Sequence, residues 1–134
     1  MKKTLSALIA LLMALTFAAS TAQARVFDSL AYREILNAYS SASAAYNEHP
    51  NDTTFASAYY AYYAAYYFYL GIAYNNDNFR FYGYVYAYYS FTYASEAGAN
   101  GPNDSSTLAQ DLYGAYVHSY FAYYFAYWAS RLGF

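Results

Sequence analysis

The chain has 134 residues, with eight acids, six Lys or Arg and a formal net charge of −2; a quarter of it is aromatic, and 23 residues are tyrosine. It has no cysteine, which excludes disulfide scaffolds, thiolate metal sites, cysteine nucleophiles and c-type haem attachment. So few basic residues leave no face that can displace counterions from phosphate, which argues against nucleic acid as a partner.

The N-terminus reads as a leader. Met1-Lys2-Lys3 is a short positive region, Leu5 to Ala19 is apolar, and Ala22-Gln23-Ala24 is a small-x-small box before Arg25. This is the bacterial secretory pattern. It predicts a signal peptide over 1–24, cleaved after Ala24, and a periplasmic or secreted protein. The apolar stretch is short for an uncleaved anchor, and no Cys follows the box to carry a lipid. The remainder, 25–134, is long enough for one domain. It holds all 23 tyrosines, all eight acids and no lysine.

Three turn clusters divide that remainder: Asn47 to Asp52, Asn75 to Asn78, and Gly98 to Ser105. Both prolines lie in them. The segments between are too long for strands and favour helices. The expected spans are 27–47, 52–75, 79–97 and 105–132.

In the first segment Tyr32, Ile35 or Leu36, Tyr39, Ala42 or Ser43, and Tyr46 alternate steps of three and four. Asp28 is placed to cap it, with Phe27 and Tyr32 as a hydrophobic staple. In the second, Tyr60, Tyr63, Tyr67, Leu70 and Tyr74 repeat those steps, and Tyr59, Tyr62, Tyr66 and Tyr69 run parallel. Tyrosine covers about half of that helix. Ala61, Ala64, Ala65, Phe68 and Ile72 fill the other half, and Asn51 or Asp52 is its cap. The third segment is ambiguous. Tyr82, Tyr84, Tyr86 and Tyr88 alternate like a strand, while Tyr82, Tyr86, Tyr89 and Tyr93 share a helical face. Its length, matching its neighbours, favours helix. In the fourth, Tyr113, Tyr116, Tyr120, Tyr123 and Tyr127 form a heptad-like stripe with Ala115, Ala122, Ala126 and Ala129 opposite. Thr107 and Gln110 have capping-box spacing, and Gly98 and Gly133 suit helix ends. The tyrosine-alanine vocabulary is shared, but the sequence shows no strict repeat.

The fold expected is all-α: a four-helix up-down bundle with tyrosine-rich heptad-like faces. Small residues such as Ala61, Ala64, Ala122 and Ala126 are its candidate packing surfaces. Two membrane readings compete. Residues 53–76 and 112–130 carry no formal charge, but tyrosine suits bilayer interfaces and not the centre. A C-terminal alternation ending at Phe134 resembles a barrel strand, but three turn clusters are too few for eight strands.

Chemistry is sparse. His49 sits in a turn. His118 lies inside the fourth helix near Asp111, with no second histidine placed to share a metal. Ser119, His118 and Asp111 do not resemble a catalytic triad in local sequence, and no glycine-rich phosphate loop is present. No enzyme, cofactor or metal is therefore expected. What stands out is the number of tyrosine hydroxyls, more than one small domain can bury and satisfy. The candidate contact face is Tyr59, Tyr60, Tyr62, Tyr63, Tyr66 and Tyr67. The expected function is a structural or self-associating exported protein, its partner a second copy or another exported protein. The alternative is a periplasmic binding module that stacks sugar, aromatic or peptide ligands on tyrosine.

Overall fold

The computed structural model describes residues 2–132, apart from the side chains of residues 15–20. Every regular element among the described residues is helical: α1 (Lys2–Glu48), α2 (Asp52–Ala73), α3 (Asp77–Asn100) and α4 (Thr107–Arg131). The 79–97 segment is helix and not strand, and Ala126, Trp128 and Ser130, which fall in the C-terminal alternation, lie in α4. None of the described helices is long and apolar enough to cross a membrane.

The turn chemistry sets the helix ends. Asn51 caps α2 by accepting from the N–H groups of Thr53 and Thr54. Asn75 adopts the left-handed conformation (φ 49°), and the Asn76 N–H returns to the Gly71 carbonyl to close α2. The Asn76 side chain then caps α3 through Phe79 N. Two expected signals shift. Ser106, not Thr107, caps α4, accepting from Ala109 N, and α3 runs past Gly98 to Asn100, with Gly101 at its C-cap. Gly133 lies outside the described residues. Asp28 does not cap a helix: α1 is continuous through it, and Phe27 stacks on Phe125 of α4 instead of stapling a terminus.

Each helix packs on two neighbours in the order α1–α2–α3–α4–α1, and the diagonal pairs scarcely touch. Partner numbers fall on α3 as they rise on α2, from Ser57–Ser90 to Tyr67–Phe79, so these helices are antiparallel. The buried positions form a repeat that sequence reading missed. They are 24, 28, 31, 35, 38, 42 and 45 on α1; 54, 57, 61, 64, 68 and 71 on α2, with Ala65 buried beside them; 80, 83, 87, 90, 94 and 97 on α3; and 112, 115, 119, 122, 126 and 129 on α4. The steps alternate three and four, the spacing of a left-handed supercoiled seam. Most of these residues are Ala, Ser or Gly; Ile35, Phe68 and Leu112 are the larger apolar ones, and Asp28, Thr54 and Arg80 the other polar ones. The expected packing surfaces Ala61, Ala64, Ala122 and Ala126 are fully buried. Ile72, grouped with them by the sequence, is exposed.

Small buried side chains let the helix axes approach. A Cβ added at Gly83 would sit 2.6 Å from the Phe68 ring, and one at Gly71 would sit 2.6 Å from Arg80 Cγ. Among the described side chains, burial begins at Ala24. Residues 2–14 are all exposed, so the N-terminal part of α1 lies outside the packed region.

Candidate functional site

With Ala, Ser and Gly along the seams, the tyrosines must lie outside them. None of the 23 is buried: fourteen are exposed and nine half-buried. Writing each helix as abcdefg with the buried stripe at a and d, the rings at e and g cover the edges of the seams. Those at b, c and f point outward.

The α2–α3 seam carries a ladder of g-position rings. Tyr93 stacks on Tyr60 at 5.6 Å, Tyr60 on Tyr86 at 5.9 Å, Tyr86 on Tyr67 at 5.5 Å, and Tyr67 on Phe79 at 6.1 Å. The ring planes in this series lie within 26° of parallel. The α3–α4 seam is closed similarly from e positions, by Tyr84 on Tyr123 at 5.2 Å and Tyr123 with Phe91 at 6.4 Å. Burial, then the hydrogen bond with Tyr123, pushes the Tyr84 hydroxyl up to about 12.

The α1–α2 seam differs, because the e positions of α2 are Ala58, Ala65 and Ile72. No ring there meets the α1 tyrosines directly. They reach across to b positions instead: Tyr32 to Tyr69, Tyr39 to Tyr62 and Tyr46 to Phe55. The result is an open groove of about 480 Å³ floored by Ala58 and walled by Tyr39, Tyr46, Phe55, Tyr59 and Tyr62. Ser43 and Asn47 supply polar groups at its edge.

The six tyrosines singled out on α2 therefore divide. Tyr60 and Tyr67 belong to the α2–α3 ladder, and half-buried Tyr63 bridges Tyr59 and Tyr86. Tyr59, Tyr62 and Tyr66 are exposed, the first two on the groove. A second aromatic face lies on α4. Tyr113, Tyr120 and Tyr127 of the stripe expected there are exposed, and so are Phe121, Tyr124 and Trp128 beside them.

Polar groups pair across helices. His118 Nδ1 lies 2.6 Å from Glu34 Oε2 of α1, not beside Asp111. The Ser119 hydroxyl donates to its own helix at Ala115 O, so it is not presented to His118. Arg80 and Asp28 were not recognised as partners, being far apart in sequence. Arg80 Nε donates to Asp28 Oδ2 at 2.7 Å, both side chains buried, while Asp77 Oδ1 and Asn75 Oδ1 accept from the two terminal nitrogens. The same turn that reverses the chain thus anchors α3 to α1. Burial raises the Asp28 carboxyl above its ordinary range, against the pull of Arg80. Among the described residues no three His, Asp or Glu side chains come together as a metal site.

Compared with protein-family models, with curated proteins and with solved structures, the chain matches none.

Proposed function

We propose that the chain is an exported, non-enzymatic structural protein. Residues 1–24 act as a cleaved signal peptide, and 25–134 work as a four-helix up-down bundle that self-associates through its outer tyrosines. One observation carries this reading: the bundle satisfies its own packing with Ala, Ser and Gly and leaves fourteen tyrosines exposed. Tyrosine offers a large apolar ring, a polar tip and few rotors, which suits it to protein contacts. Contiguous apolar surface on a small protein commonly marks such contacts. The contact surface is the exposed row of α2, Tyr59, Tyr62, Tyr66 and Tyr69, together with the α4 face.

The test is light scattering on the processed chain after gel filtration, across a wide concentration range without detergent. The reading expects a mass above one chain that falls when Tyr62 and Tyr66 are both replaced by Ser. A monomer at every concentration overturns it.

The α1–α2 groove supports a second reading, a periplasmic module that stacks a sugar ring, an aromatic metabolite or a peptide side chain between Tyr39, Tyr59 and Tyr62. Here a ligand screen by thermal shift should find a compound class whose effect is lost in Tyr39→Ala.

A further inference from the structure

Asp28 is 2 % exposed, and its carboxylate is only half satisfied. Oδ2 accepts from Arg80, while Oδ1 is buried without a hydrogen-bond partner. A lone buried carboxylate oxygen is costly. In the continuous α1 the local backbone cannot help, because the N–H groups around residues 25–28 are taken by carbonyls four residues back, in 21–24.

Cleavage after Ala24 changes that bookkeeping. Hydrolysis breaks the amide between Ala24 and Arg25. Water's oxygen goes to the Ala24 carbonyl carbon, and the nitrogen left on Arg25 becomes an α-ammonium. The carbonyls of 21–24 depart with the leader, so the first four N–H groups of the shortened helix become orphan donors. Asp28 then stands three residues after the first residue. There an acidic side chain can fold back to the terminal nitrogen, and the helix dipole favours a negative charge.

We propose that the α-ammonium of Arg25, released by a leader endopeptidase at the Ala24–Arg25 bond, is the partner that Asp28 Oδ1 lacks. Processing would then complete a buried bridge from the new N-terminus through Asp28 to Arg80, tying the start of α1 to the start of α3. The inference rests on the signal-peptide reading. The other charges at this site are Asp77 on α3 and the Arg25 side chain on α1. Ala24 is itself 2 % exposed, at the first buried position of the stripe, so cleavage precedes docking of this turn.

The experiment uses the exported, processed protein. Intact mass first identifies its N-terminal residue. Any start other than Arg25 overturns the processing reading and this proposal with it. The second readout addresses the pair alone. The chain from Arg25 on has no lysine, so its α-amino group is the only amine. Its titration is expected about one unit above the ordinary range of roughly 7.7–8.0 and should return to that range in Asp28→Asn. Acetylating it, which removes the charge, is expected to lower Tm by several degrees. Reductive dimethylation, which keeps the charge, should leave Tm unchanged. An α-amino group that titrates at or below the ordinary range, with Tm indifferent to acetylation, overturns the pair while leaving the processing reading intact. The acetylation comparison does not depend on Asp28→Asn folding.

Discussion

Tyr67 and Tyr86 lie face to face across the α2–α3 seam, their ring centroids 5.5 Å apart and their planes within 12° of parallel. Tyr86 also stacks on Tyr60, so one side chain is shared by two stacked pairs. Aromatic pairs contribute about 0.5–1.5 kcal/mol each beyond area burial. Tyr86→Leu is therefore expected to cost about 1–3 kcal/mol in urea unfolding. Tyr113→Leu, at a position 69 % exposed, should stay within about 0.5 kcal/mol of wild type.

The glycines of α3 should respond in opposite directions to the same change. Ala is favoured over Gly in helices by about 1 kcal/mol. At Gly98 an added Cβ meets nothing within 4 Å, so Gly98→Ala should stabilise the fold by up to about that amount. At Gly83 the Cβ would lie 2.6 Å from Phe68, and Gly83→Ala should destabilise by about 1–3 kcal/mol. Chemical denaturation of the two variants checks both signs.

Ser57 and Ser90 exchange hydrogen bonds across the same seam, each hydroxyl donating to the other's backbone carbonyl, at 3.4 and 2.9 Å. Ser90→Ala should lose about 1 kcal/mol. Ser90→Leu should lose more, because its bulk forces the axes apart. Equal losses in the two variants would contradict the close approach described for α2 and α3.

Arg80 and Asp28 predict a pH effect with a definite sign in the full-length chain. The folded Asp28 carboxyl holds its proton above the ordinary value of 3.8, chiefly through burial. The folded state thus keeps a proton that the unfolded chain has released. The stability linked to this group is complete below 3.8 and is lost as pH rises through the folded value. Denaturation midpoints followed from acid to neutral pH should show wild type losing ground relative to Asp28→Asn. If processing supplies the Arg25 ammonium, the slope should weaken in the processed chain. Arg80→Met should destabilise the full-length chain by about 3–5 kcal/mol, since it strands a buried carboxylate.

Tyr84 gives an alkaline counterpart. Its hydroxyl, at about 12, should ionise well above the ordinary value of 10.0. Ultraviolet titration of tyrosinate should therefore lose a component near 12 in Tyr84→Phe. The folded state resists ionisation, so the linked stability is present below the ordinary value of 10.0 and is lost as pH climbs towards 12.

The helices were legible because long segments without breakers lie between asparagine-rich turns, and Asn51 announced its cap. The buried face was legible only in part: Ala61, Ala64, Ala122 and Ala126 read as packing surfaces and are buried, while Ile72, read with them, is exposed. Tyrosine and alanine stripes both satisfy the helical period, and their hydropathies differ too little to say which turns inward. Volume decides. Alanine at positions such as Ala61 and Ala87 lets backbones approach, and rings such as Tyr60 and Tyr86 then fit only along the edges. The small residues keep a strict spacing of three and four, but the tyrosines beside them keep it too. The α1–α2 groove followed from a detail that only lettering the helices exposes, small residues at the α2 positions facing α1. The Arg80–Asp28 pair was hidden by a separation of 52 residues.

The alanine interior has a thermodynamic consequence of its own. Folding restricts side-chain rotation, and that entropy loss is near zero for alanine and glycine but approaches about 1.5–2 kcal/mol for long flexible residues. A centre built from Ala31, Ala38, Ala61, Ala64, Ala87, Ala122 and Ala126 freezes almost no rotors. It also hides little apolar area, so the heat-capacity change of unfolding should be low for a chain of this length. The stability curve of such a protein is correspondingly flat, and its fold should weaken slowly with both heating and cooling.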